Sequence, residues 1–200
     1  MKTTARALVL LGLVGCGSTE AWAPLSAKAP TGPDTTLVWV GRGECERYED
    51  GAWVRRPEFD YEFSVEQHRL GNRWESLKTM RRLHPDYDGS AGPRLQNYFF
   101  QIEYGQPDAQ GQATSTIKSS LGDGSGVTDR EFRSATLQIN AEVSRFAPFD
   151  NYKITQSYLY EEGLLKETVA LNQGEQPWVR NQEVASLFAK HNFEAAPSKL

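Results

Sequence analysis

The chain is poor in cysteine, in histidine and in long apolar runs, and it has no surplus of basic charge. Two cysteines in 200 residues exclude a disulfide-dense scaffold. No apolar run reaches the roughly 18 residues of a spanning helix, which excludes a polytopic helical membrane protein. Lys and Arg number 22 against 26 Asp and Glu, a formal charge of −4. A nucleic-acid footprint needs a basic surplus, so no nucleic-acid partner is expected. His68, His84 and His191 are scattered, without H-x-x-x-H or C-x-x-C spacing. No metal or cofactor site is therefore expected. What is present is 38% hydrophobic and 11% aromatic content, enough for a packed core rather than wholesale disorder.

The first residues read as an address. Lys2 and Arg6 form a short positive region, and Ala7 to Val14 a short apolar one. That apolar run is too short to span a bilayer stably. It ends in Leu13-Val14-Gly15-Cys16, which resembles the lipobox of bacterial lipoproteins. The resemblance covers residues 1–16. It implies removal of residues 1–15 as a signal peptide, diacylation of the Cys16 sulfur and acylation of the new amino group. An ordinary secretory signal, cut for example after Ala21-Trp22-Ala23, is the alternative. Two or three acyl chains make a stable anchor where one does not. The residue after the cysteine is Gly17 rather than Asp. By the family's sorting rule this implies the outer membrane in a diderm source, and the cell envelope in any case. Loss of residues 1–15 removes Lys2, Arg6 and no acid, leaving 20 basic against 26 acidic side chains and a charge of −6. A domain of that sign has no electrostatic pull toward an anionic membrane, so the expected membrane partner is reached through the lipid.

Residues 16–34 then supply the lipidated cysteine and a tether. Pro24, Pro30 and Pro33 sit among Ser, Ala, Thr and Gly without apolar periodicity. Extended, the tether spans at most roughly 60 Å. Trp22 fits either a lipid interface or plain exposure.

From residue 35 to residue 200 the pattern is that of one β-rich domain. Phe59 to Val65 alternates apolar and polar without a break, as does Ala135 to Val143. Tyr98, Phe100, Ile102 and Tyr104 share one face, and so do Tyr152, Ile154, Tyr158 and Tyr160. Period two means strands with one face on a core. Further strands are expected over Thr36 to Arg47, Arg73 to Leu83, Ala113 to Ser120 and Leu164 to Leu171. Gly51, Gly71 and Gly163 stand where short hairpins need a positive φ. Longer loops are expected over 105–112 and 85–93. Gly122 to Gly126 also reads as a loop or a hairpin tip. Near the end, Asn181 can cap a helix and Val184, Leu187 and Phe188 share a helical face, so a C-terminal helix is expected over about 181–191.

Eight to ten strands joined mostly by hairpins predict a mainly β antiparallel fold, an up-and-down barrel or a strongly curved sheet, with one C-terminal helix. A Greek-key sandwich is the alternative. The layout is similar to lipocalin-like barrels, and Gly51-Ala52-Trp53 matches their Gly-x-Trp fragment. No ligand residue is carried across from that family.

Patterns that carry chemistry are missing. Ser90 and Ser125 both fail G-x-S-x-G, and no glycine-rich phosphate loop is present. The Asp86-Tyr87-Asp88-Gly89 and Asp123-Gly124-Ser125-Gly126 stretches do not complete a calcium loop. Cys45, between Glu44 and Glu46, should have a raised thiol pKa and no catalytic role. It is either a free thiol packed in a strand or half of an intermolecular disulfide. The aromatic faces are the remaining clue. They fill a core or line a lumen, and a dry core favours Leu, Ile and Val over tyrosine. Tyr61, Tyr104, Tyr152, Gln156, Tyr158 and Tyr160 are accordingly the candidate ligand-binding residues. Gln156, on the same face, needs a polar partner there. The function expected is a non-catalytic, lipid-anchored envelope lipoprotein that binds a small apolar or amphipathic ligand. The alternatives are an interaction module for an envelope protein partner, and an unrecognised hydrolase.

Overall fold

The computed structural model describes residues 34–129, 133–140 and 150–192. The lipobox, Cys16 and the tether up to residue 33 lie outside these. The strands are β1 (Asp34–Glu49), β2 (Ala52–Arg55), β3 (Tyr61–Leu70), β4 (Arg73–Arg81), β5 (Leu95–Tyr104), β6 (Gln112–Ser119), β7 (Gly122–Asp129), β8 (Ser134–Asn140), β9 (Asn151–Leu159), β10 (Leu164–Gln173) and β11 (Gln176–Asn192). All belong to one sheet in which β3 to β11 pair with their sequence neighbours. β1 takes β3 on one side and β11 on the other, from Thr35↔Asn192 to Arg47↔Val179, and this closes the ring. The result is an antiparallel ten-stranded up-and-down barrel, neither an open curved sheet nor a Greek-key sandwich. β2 lies outside the ring, folded back on the far half of β1 through Asp50 and Gly51, both at positive φ.

The expected helix over about 181–191 is absent: β11 runs from Gln176 to Asn192 as a strand. Glu183, Ala185 and Leu187 point inward and are buried, while Val184 and Phe188 are exposed on the outer wall. The i, i+3, i+4 apolar spacing is therefore split over two faces of a strand. A register shift opposite Val38 and Trp39 inserts Phe188 between Leu187 and Ala189. Such a bulge breaks the period of two that would otherwise mark a strand. Pairing with β1 and β10 along most of its length overrides the local helical pattern.

Gly122 to Gly126 is a second correction, since it forms most of β7. Its glycines alternate into the barrel. A Cβ at Gly124 would lie 2.1 Å from the Gln138 carbonyl oxygen, and one at Gly41 in β1 only 2.2 Å from that of Val184. Backbones this close permit the sharp coiling a closed barrel needs, and only glycine allows it.

The interior is graded along the barrel axis. At one end Leu37, Trp39, Tyr160, Leu165 and Leu187 pack into a solid plug, with Trp39 fully buried. Trp39 lies 5.8 Å from Tyr158 and 6.3 Å from Tyr160, whose rings stack at 5.5 Å. At the other end Tyr98, Phe100, Tyr152 and Val179 are only half-buried. There the short turn Pro57–Phe59 and the β4–β5 loop cover part of the opening, with Phe59 edge-on to Tyr87.

Candidate functional site

Between plug and opening lies a cavity of about 290 Å³, close to the lower limit of typical small-molecule sites. Most strands of the ring turn residues toward it, β7 only Thr128 and β6 none. The inward row of β4 and the residue after it, Trp74, Ser76, Lys78, Met80 and Arg82, runs from the plugged end to the mouth. Leu137 and Ile154 from β8 and β9, and Val169 and Leu171 from β10, give an apolar wall.

A continuous chain of polar side chains crosses this apolar space. Trp39 Nε1 donates to Gln67 Oε1 at 2.9 Å, and Gln67 Nε2 donates to the Tyr158 hydroxyl at 2.8 Å. The Tyr158 hydroxyl donates to Gln156 Oε1 at 3.3 Å, and Gln156 Nε2 donates to Glu167 Oε2 at 2.5 Å. Lys78 Nζ then joins Glu167 at 3.1 Å to Glu183 at 2.5 Å. Glu183 Oε1 also accepts from the Tyr61 hydroxyl at 2.5 Å. Thus two carboxylates and one ammonium sit inside the barrel, and all four carboxylate oxygens have protein donors. Burial pushes the Glu183 carboxyl up, Lys78 opposes this, and Glu167 adds to it, leaving a pKa of about 7. For Lys78, burial works against the ammonium, but Glu167 and Glu183 together outweigh it and hold the pKa above its ordinary value. Burial likewise raises the hydroxyl pKa of Tyr158 and Tyr61.

At the mouth stands Arg82, 8% exposed. Its guanidinium lies 5.6 Å from the centre of the Tyr61 ring and 5.1 Å from that of Tyr87. Its Nε and Nη1 are buried without a hydrogen-bond partner. Beside it Arg47 lies over Phe59 at 5.5 Å and Trp178 at 5.8 Å.

All six residues singled out in the sequence, Tyr61, Tyr104, Tyr152, Gln156, Tyr158 and Tyr160, line the cavity. They play different parts. Tyr158 and Tyr160 belong to the plug, Tyr61 and Gln156 hold carboxylates, Tyr152 stands toward the mouth, and Tyr104 lies toward the plugged end. The interior charges Lys78, Glu167 and Glu183, and Arg82 at the mouth, escaped sequence reasoning. A signal existed for two of them. Lys78 is in step with Trp74 and Met80, and Glu167 with Leu165, Val169 and Leu171, so each puts a charge on an apolar row. Glu183 was hidden by the mistaken helix.

Several other residues have structural work. Cys45 is buried with Phe59 and Tyr87, and its thiol is raised to about 11 chiefly by burial, with Arg82 opposing and Asp60 adding. The raised value was expected, but its cause is desolvation rather than Glu44 and Glu46. Buried so, Cys45 is not placed to cross-link another chain. Asp88 Oδ1 accepts from the Ser90 amide, shaping its loop, and Ser125 lies on β7. His68 bonds Thr36 and Glu66 on the outer wall. Gly51-Ala52-Trp53 lies on the β1–β2 hairpin, where Trp53 packs against Tyr48 and Arg180; none of the three lines the cavity. Among the described residues no group of three His, Cys, Asp or Glu is arranged to hold a metal.

No family model matches the chain, and no curated protein matches it. Among solved structures it is similar to the ywiB protein of Bacillus subtilis, with a TM-score of 0.33 and 8% identity over 77% of this chain and 94% of that one.

Proposed function

We propose that the protein is a non-catalytic, lipid-anchored envelope lipoprotein whose barrel binds a small apolar or amphipathic ligand. The cavity of about 290 Å³ carries the ligand-binding half: an interior with apolar walls, an internal polar chain and a partly open end suits a ligand with one polar group. Leu13-Val14-Gly15-Cys16 carries the anchoring half. Native mass spectrometry of the full chain purified from its own membranes should show a retained small molecule that organic extraction removes. A chain of bare sequence-plus-lipid mass that also leaves a solvatochromic apolar probe undisturbed would refute binding. For the anchor, Cys16→Ala should move the protein out of the membrane fraction; a variant that still sediments with membranes would refute it.

The two interior carboxylates favour a second reading, a hydrolase using Glu183 and Glu167 as acid and base. Geometry weakens it. Each carboxylate oxygen already accepts from Lys78, Tyr61 or Gln156, and a general base must reach a substrate proton. The alternative of an interaction module has less to rest on. Ring closure gives each of ten strands a neighbour on both sides, so among the described residues short β2 and the first residues of β5, which β6 does not reach, are where a partner strand could add.

A further inference from the structure

We propose that the cavity takes an amphiphile with its oxyanion head, a carboxylate or a phosphate, on the guanidinium of Arg82. This rests on the ligand-binding function proposed above and specifies the chemistry of the head group. Arg82 is the feature of the mouth that the protein itself leaves incomplete. The side chain is more than nine-tenths buried, lines the cavity, and has two N–H groups, at Nε and Nη1, without an acceptor. It forms no ion pair among the described residues. The Tyr61 and Tyr87 rings replace part of its lost hydration through their π faces. Rings accept no conventional hydrogen bond, so the donors stay unmet, which is costly for a buried cation.

The surroundings show which acceptor would complete it. Gln96, nearby in the mouth, donates its Nε2 to the Ala91 and Pro93 carbonyls, and its Oε1 already accepts from the Tyr98 hydroxyl. Glu167 and Glu183 lie deeper, held by Lys78. Arg47 adds a second guanidinium at the same opening, also without an ion pair among the described residues. The mouth is thus cationic, its other polar lining being the uncharged Ser90, Gln96 and Asn181, while the wall below it, with Leu137, Ile154, Val169 and Leu171, is apolar. An oxyanion on an apolar chain matches both zones, because charge-assisted hydrogen bonds to guanidinium are strong and directional.

The test is isothermal titration of the full chain with decanoate, decanol and acetate at pH 7.5. Decanoate should bind at least about tenfold tighter than decanol, the gain expected from satisfying a buried guanidinium with an anion. Acetate should bind far more weakly than decanoate. In Arg82→Met the preference for decanoate over decanol should fall to within about twofold, and Arg82→Lys should keep part of it. Near-UV circular dichroism confirms that each variant is folded, and the wild-type comparison holds even where a variant fails to fold. Decanol binding as tightly as decanoate would overturn the assignment of the head group while leaving the ligand-binding function standing. Acetate binding as tightly as decanoate would reduce the mouth to a small-anion site. If neither ten-carbon probe binds, the ligand-binding function itself fails.

Discussion

Lys78 holds the electrostatics of the lumen together. Its ammonium is shared between Glu167 and Glu183 in space that excludes most water. Removing one partner of such a set strands a buried charge, at a cost of about 3–5 kcal/mol. Lys78→Met should therefore lose about that much stability in urea unfolding at pH 8. The loss should shrink toward pH 5, where protonation relieves the abandoned carboxylates; equal losses at both pH values would contradict this placement. Glu183 sets a second pH dependence. Its folded pKa, about 7, lies above the ordinary 4.5. Its contribution to stability is then complete below about pH 4.5 and declines as pH rises through about 7. Lys78 and Tyr61 are the ionisable groups bonded to it, and Glu167 is the like charge that shares Lys78 with it. The stability of the wild type relative to Glu183→Gln should accordingly fall between pH 4.5 and pH 8. Cys45, raised to about 11 by burial, should ignore a thiol reagent such as DTNB at pH 8 until denaturant is added. Labelling of the native protein at the rate of an open thiol would contradict its burial. These residues were unevenly legible. The tyrosine faces follow from period two, because aromatic and β-branched side chains mark inward positions. The interior charges are harder to read, because a single sequence shows which row a residue occupies but not which charges meet across a lumen.

At the level of elements, the turns were the most legible part. Gly51, Gly71 and Gly163 all adopt the positive φ their hairpins need. β7 and β11 were the least legible, for opposite reasons. Glycine in β7 signals a loop by composition, yet here it allows close packing of neighbouring backbones. β11 contains a bulge, and the extra residue turns strand spacing into something that resembles a helix. The two uses of glycine can be separated by experiment. Gly51→Ala meets open space and suffers only from its φ of 86°, a loss of about 1 kcal/mol. Gly41→Ala would drive a methyl against the backbone of β11, with an overpacking cost of about 2–3 kcal/mol or more. Thermal melts should rank Gly41→Ala well below Gly51→Ala, and the reverse order would argue against tight coiling at Gly41.

For the whole molecule, closure is the property the sequence hides best. Alternation shows that strands exist and hairpins show which neighbours pair. The contact that turns a sheet into a barrel joins β1 to β11, and no local signal marks two strands so far apart in the chain. Such distant pairing makes folding slow, on the ms–s scale, since the ring is incomplete until the last strand is made. The grading of the interior, from aromatic plug to cationic mouth, follows from closure too. Arg82 after β4 and Arg47 on β1, by contrast, share the rim through the neighbouring β1–β3 and β3–β4 pairings.

Because Thr35 and Asn192 are register partners, the barrel has a seam but no true beginning. A circular permutant would join residues 34 and 192 through a few glycines and be cut in the exposed Pro107–Gly111 loop. It should refold to the same near-UV spectrum and keep its cavity. What was the seam would then be an ordinary hairpin, and β5 and β6, now the chain's two ends, would have to find each other instead.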